Sequence, residues 1–171
     1  MTTTSDAADR PADDERHSQA VVGVGSMVMG DDGVGYHAVE ALADRSLPAG
    51  TTVTHAGTTA FLALEAMSGA DVAIVVDALG IDEPAGTIKE YRLDRPSSDA
   101  PEVTMHDYSF TDALDVGDAA YDVPDEVYLI GVVPAELDPS VELSEPVSAA
   151  LPDLVARIER RLAVYGNDND S

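Results

Sequence analysis

The stretch VVGVGSMVMGDDGVGYHAVEAL, Val21 to Leu42, decides how the chain is read. It opens with β-branched residues that suit a buried strand. From Gly33 onward Val34, Ala38, Ala41 and Leu42 fall on one face of a helix. Five glycines lie in it (Gly23, Gly25, Gly30, Gly33 and Gly35), and two adjacent aspartates, Asp31 and Asp32, precede the helix. Glycine-rich turns between a strand and a helix often cradle a phosphate on backbone N–H groups. The spacing here does not suit one. A dinucleotide turn needs G-x-G-x-x-G, and after Gly23 and Gly25 the third place falls on Val28. No Gly-Lys-Ser/Thr follows, which excludes a P-loop. Carboxylates at the helix start would also compete with a phosphate for the positive end of its dipole.

Working outward, Ala20–Gly25 reads as the first strand and Thr51–His55 as a second, with a helix-like segment over Ala60–Met67. Asp71-Val72-Ala73-Ile74-Val75-Val76-Asp77 is the clearest buried strand, an apolar run that ends in an aspartate. Gly86–Leu93 mixes charged and apolar positions and predicts a more exposed strand. A short helix is expected over Tyr108–Val116, and a buried strand over Glu126–Val133 that Pro134 stops. Val147, Leu151, Leu154, Val155, Ile158 and Leu162 then form a helical stripe from Ser144 to about Tyr165. Gly166 is its expected stop, and Pro152 should kink the helix or mark its beginning.

Alternating strands and helices predict an α/β domain with a mainly parallel sheet covered on both faces. Right-handed crossovers then gather the strand-to-helix loops at one edge. Asp31, Asp32, Asp77 and the residues after Val133 are expected there. The domain should span residues 19–166, between a disordered acidic leader (1–18) and a short disordered tail (167–171).

Composition bounds the function. The chain has 171 residues, 44% hydrophobic and 25% charged, as globular domains do. Its 33 acidic residues against nine basic ones give a net charge of −24, and Lys89 is the only lysine. Such a surface repels nucleic acid and anionic lipid. The acids are spread along the whole chain, which fits a protein that folds in a salt-rich cytoplasm where self-repulsion is screened. There is no cysteine, hence no disulfide, thiolate ligand or cysteine nucleophile. No apolar run long enough for a membrane span occurs, and the first residues do not read as a secretory signal.

Each acidic residue of interest has an ordinary reading beside a functional one. An aspartate at a helix start is commonly a cap, worth roughly 1 kcal/mol. An aspartate ending a strand often just turns the chain. In a parallel sheet, however, a carboxylate after the first strand and one ending the third face the same crevice. Converging carboxylates demand a cation, or one of them must take up a proton. His106, in the loop His106-Asp107-Tyr108, adds an imidazole if it reaches the crevice; a lone loop histidine is as readily a solvated side chain. Two carboxylates and an imidazole suit a borderline divalent metal such as nickel, zinc or manganese. His17 and His37 read as plain surface groups.

These residues resemble the hydrogenase maturation endopeptidases, which trim the C-terminus of the [NiFe]-hydrogenase large-subunit precursor after nickel insertion. GVGSMVMGDDGVG (Gly23–Gly35) is similar to the family's opening motif, and AIVVDALG to its mid-chain strand ending in aspartate at Asp77. TMHDYSFTDAL resembles its histidine loop at His106, and YLIGVVPAEL (Tyr128–Leu137) its late strand. The resemblance runs from about Val21 to Leu162. It implies a three-layer α/β/α fold of the phosphorylase/hydrolase-like kind. It also implies Asp32, Asp77 and His106 as nickel ligands and catalytic residues, the nickel being carried by the substrate and replaceable by other divalent metals. Gly57 and Thr58, in AGTTA, match a segment that holds substrate backbone. The implied partner is the precursor, with no nucleic acid or membrane and self-association no stronger than a weak homo-oligomer. Ser26 departs from the family's usual asparagine, and His55 from a common aspartate. The same ligands would also serve a non-proteolytic metal-binding maturation factor, or a hydrolase of this fold with another substrate.

Overall fold

The long apolar runs become the centre of a sheet, because only strands covered on both faces can bury every side chain. The structure, a computed structural model, describes residues 18–93, 104–105, 108–117 and 120–166. The first half holds β1 (Gln19–Gly23), α1 (Val34–Ala43), β2 (Thr51–His55), α2 (Ala60–Met67), β3 (Val72–Ala78) and β4 (Ile88–Arg92). The second holds β5 (Thr104–Met105), β6 (Tyr108–Ser109), α3 (Phe110–Gly117), β7 (Glu126–Val132) and α4 (Glu145–Gly166). Five strands make the main sheet in the order β2-β1-β3-β7-β4. Four run parallel, and β4 alone is antiparallel, along the outer side of β7. Its sequence, IKEYR, is half-buried at each position, and such charged residues protect an edge from unwanted pairing.

Alternation along the strands splits the core in two. Val21, Ile74, Val76, Ile130 and Val132 face α1 and α4, while Val22, Val75 and Leu129 face α2 and α3. The molecule is therefore three layers, α/β/α, as the resemblance implied. Leu42, Leu64, Ile74, Leu129, Ile158 and Leu162 are fully buried, each stabilising by about 1.5–3 kcal/mol relative to exposure. No helix among the described residues is long and apolar enough to cross a membrane.

One expectation needs correction, and one of two alternatives offered for Pro152 is excluded. The helix placed over Tyr108–Val116 starts two residues later, because Tyr108 and Ser109 pair with Met105 and Thr104 as β6 on β5. α4 begins at Glu145 and continues through Pro152, which does not mark its start. The carbonyl that the proline ring deprives of a donor belongs to exposed Ser148, within reach of water. The leader and tail lie outside the described residues, except Ser18, whose N–H donates to Asp71 Oδ2 at 2.9 Å.

The glycines of the opening stretch serve close packing. A Cβ on Gly35 would stand 2.6 Å from the carbonyl oxygens of both Val24 and Val76, and one on Gly23 would stand 2.4 Å from Gly35 O. Glycine at both places lets the first turn of α1 sit directly on the ends of β1 and β3. Gly25, at φ +111°, makes the turn that returns the chain over itself, where a Cβ would meet Asp32 O at 2.1 Å.

From that turn the chain enters a 3-10 turn, Gly30–Gly33, and there Asp31 is completely buried. Its Oδ2 accepts N–H bonds from Ala135 (2.8 Å) and Glu136 (2.9 Å) and the Ser144 hydroxyl (2.7 Å), while Oδ1 accepts the Ser144 N–H (2.7 Å). The Asp31 N–H donates to Glu136 O at 2.9 Å. One carboxylate thus ties the turn after β1 to the loop after β7 and to the entrance of α4. Capping is not its role: Gly33 precedes α1, and no side chain caps either helix start. Burial by itself would raise the Asp31 pKa, but the four donors outweigh it and hold the carboxyl below its ordinary value.

Two outcomes follow from this packing. Gly35→Ala should lower stability by about 1–3 kcal/mol in denaturant titrations, through forced backbone displacement. Gly80→Ala, at a site with open space around it, should stay within about 0.5 kcal/mol of the parent. Asp31→Asn should cost about 1.5–3 kcal/mol at neutral pH, since an amide nitrogen then faces backbone donors. Because the native pKa is depressed, that contribution is present above the ordinary value of 3.8 and is lost as pH falls through the native one. Denaturation of parent and variant across pH should show the gap closing in acid.

Candidate functional site

Strand order reverses beside β1: the chain leaves β1 for β2 on one side, then crosses back to β3 on the other. In open α/β sheets the crevice at such a switch, beyond the carboxyl ends of the strands, is where ligands bind. The close seating of α1 lowers the 3-10 turn onto that edge, and Asp32 with it. Asp32 Oδ2 accepts the Ser26 N–H at 2.7 Å, which fixes the side chain in a half-buried place. Ser26 therefore supplies its backbone, so the serine found in place of asparagine leaves this bond intact.

Asp77 lies at the carboxyl end of β3, opposite Gly131 of β7. It is 9% exposed, and its Oδ1 accepts the N–H of the next residue, Ala78, at 2.7 Å. Burial pushes its carboxyl well above the usual carboxylate range, the Ala78 N–H pulls it partly back, and the charge of Asp32 adds to the rise. The structure thus brings Asp32 and Asp77 within electrostatic reach of each other, at the edge where the sheet topology predicted them. Two such groups share a crevice at a cost that a cation between them would remove.

The third member expected of the set, His106, lies outside the described residues. Among the described residues no three His, Asp or Glu side chains group closely enough to hold a metal ion. The neighbours of His106 in the chain, Met105 and Tyr108, pair across β5 and β6. α3, which follows them, covers the face of Ala73 and Val75, the strand positions that share the alternation of Asp77.

Gly57 and Thr58 follow β2 at the same edge. Gly57 turns at φ +67°, its carbonyl accepts the Gly25 N–H at 2.8 Å, and no atom lies within 4 Å of the place its Cβ would take. Thr58 is exposed. His55 ends β2, and its Nε2–H donates to Gly25 O at 3.0 Å, while its ring meets the edge of Tyr36 at 5.4 Å between centroids. A histidine in the place of aspartate therefore braces the turn that carries Asp32. His37 is not a plain surface group either: it is half-buried, with Nε2 bonded to Val141 O at 3.2 Å.

The rim is apolar where the rest of the surface is acidic. Met27, Val28 and Met29 are exposed, as are Leu137 and Val141 on the facing loop. Backbone bonds join the two loops, from Ser140 N–H to Val28 O (3.0 Å) and from Gly30 N–H to Ser140 O (2.9 Å). Sequence reasoning missed this rim and the buried role of Asp31. A signal for the latter was available in the doubled aspartate, since one turn cannot present both side chains to the same side.

Residues 36–161 match the family model described as hydrogenase maturation protease. The chain is 33% identical over 140 residues to the hydrogenase expression/formation protein HupM of Azotobacter chroococcum mcd 1, covering 80% of this chain and 67% of that one. It is 28% identical over 149 residues to hydrogenase 2 maturation protease of Escherichia coli (strain K12), covering 85% and 91%. The match takes in 65% of the related HoxM of Azotobacter vinelandii. Among solved structures the fold is similar to the hydrogenase maturating endopeptidase HybD from E. coli, with a TM-score of 0.74 and 25% identity over 86% of this chain and 93% of that one. With the opening motif, the aspartate-ended third strand and the three-layer architecture in agreement, the chain belongs to the hydrogenase maturation protease family, a family of peptide hydrolases.

Proposed function

We propose that this chain removes the C-terminal peptide of a [NiFe]-hydrogenase large-subunit precursor, and that it recognises nickel carried by that precursor. The convergence of Asp32 with buried Asp77 carries the reading. A carboxyl forced up by burial and by a neighbouring carboxylate is an electrostatic deficit that a divalent cation would relieve. Carboxylate oxygens, joined by the His106 imidazole, suit a borderline metal such as nickel, with other divalent metals as substitutes. Nickel on the substrate would supply Lewis-acid polarisation of a carbonyl.

The chain's own residues do the rest. Asp77 and Asp32 hold the cation in the β1/β3 crevice, and Ser26 N–H fixes the orientation of Asp32. Either carboxylate, once the cation draws it into its ionised form, can accept a proton as a general base. Gly57, with open space above its turn, and Thr58 give the peptide backbone a place to lie along the end of β2. The exposed apolar loops beside Asp32 favour a peptide over a small polar substrate. We place the reaction in a cytoplasm of high salt, where an acidic surface of this density stays folded.

The decisive experiment incubates the full chain with a large-subunit precursor, with and without nickel, and weighs the product. Loss of a C-terminal peptide that needs nickel is expected; a precursor of unchanged mass would leave a non-proteolytic maturation factor. Asp32→Ala and His106→Ala should each reduce cleavage by at least a hundredfold while the circular dichroism spectrum keeps its shape. Asp77→Asn should also abolish cleavage, yet raise the denaturation midpoint at neutral pH. It removes a buried charge while leaving an oxygen for the Ala78 N–H, and the raised pKa means the ionised carboxylate disfavours the native state there.

A further inference from the structure

On the α4 side of β4, the last turns of α4 and the strand edge form an open surface hollow of about 310 Å³. Arg157, Arg160 and Arg161 line it, together with Glu90 and Val164. Arg161 stacks on Tyr128, the third residue of β7, with Cζ 4.3 Å from the ring centroid. Asp77, by contrast, pairs in register with Gly131, the sixth residue of the same strand. Nearby, Leu162 O receives a hydrogen bond from Gln19 at the start of β1. The hollow therefore lies on the α4 face of the sheet, opposite the face whose alternation Asp77 shares, and has no residue in common with the carboxylate crevice.

Its charge runs against the whole molecule. The described residues include six cations, Arg45, Lys89, Arg92, Arg157, Arg160 and Arg161, and three of them line this one hollow. Arg45 pairs with Glu159 at 3.2 Å and Arg92 with Glu126 at 3.5 Å. Arg161 holds Glu90 through Nε at 2.6 Å. Arg157 and Arg160 have no ion pair among the described residues, in a chain where carboxylates outnumber cations 33 to nine. Three guanidiniums thus line one hollow with a single carboxylate, Arg157 half-buried and Arg160 exposed. A guanidinium fork matches a phosphate or carboxylate edge through two parallel bonds. The volume is at the lower end of the roughly 300–1,000 Å³ common for small-molecule sites. A long polyanion is disfavoured by the net charge of −24.

We propose that this α4–β4 cavity binds a compact polyanion, a small molecule bearing phosphate or carboxylate groups, with Arg157 and Arg160 as its principal ligands and Val164 as an apolar wall. Occupancy would brace the end of α4 from outside, as Glu90 does from the sheet.

Isothermal titration of the full chain with pyrophosphate, and separately with citrate, at constant ionic strength tests this. Saturable binding of one molecule per chain is expected with at least one of them, and which one responds assigns the phosphate or carboxylate preference. The double variant Arg157→Gln/Arg160→Gln should bind at least tenfold more weakly with an unchanged thermal midpoint, since neither side chain has an ion pair to lose among the described residues. Asp32→Ala should bind like the parent. The proposal is overturned if neither anion gives saturable binding, or if the double variant binds as tightly as the parent.

Discussion

The buried carboxylate of Asp31 is the constraint on which the crevice edge of the sheet depends. Three segments far apart in sequence converge on it: the turn after β1, the loop after β7 and the entrance of α4. Those bonds add side-chain anchors to the backbone bonds that already join the turn to the loop after β7, and together they hold Asp32 at its height above the sheet. The arrangement divides labour between neighbours. Asp31 is satisfied by donors and kept ionised, while Asp32 turns the other way, toward a carboxyl that burial and like charge both disfavour. One pair of aspartates is thus split into a buried structural member and a partly exposed one at the crevice.

The same edge shows how close packing becomes chemistry. Gly23 and Gly35 remove the side chains that would hold α1 away from the strand ends. The helix then descends, and the turn preceding it comes within electrostatic reach of β3. A phosphate site would have used this proximity to present N–H groups. Here the Asp32 and Asp77 carboxyl groups occupy the edge instead, and their proximity adds to the burial that raises the Asp77 pKa.

Much of this was legible in the sequence because burial writes itself as pattern. The runs at Val72–Val76 and Val127–Ile130 are apolar without interruption, so they announced central strands. The Val34–Ala38–Leu42 and Leu154–Ile158–Leu162 spacings announced helices on the sheet. Asp77 was legible because an acid directly after such a run must lie at a strand end. Less visible were features made by long-range partners. Nothing local to Asp31 reveals that its donors sit more than a hundred residues away at Ala135 and Ser144. Tyr108 and Ser109 suit a helix by position, but pairing with Thr104 and Met105 draws them into an extended ladder. The arginines of α4 carry no local signal of a hollow, which forms only where the helix packs beside Glu90 of β4.

The segment Ser26–Met29 has a consequence of its own. Its ends are pinned, by Gly25 beneath the Asp32 carbonyl on one side and by Gly30 against Glu136 on the other. Between those pins Met27 and Val28 are exposed. Substitutions at Met27 and Val28 therefore alter the surface beside the crevice without removing any of the donors to the Asp31 side chain. Within a single turn of chain, the outer surface and the inner scaffold thus rest on different atoms.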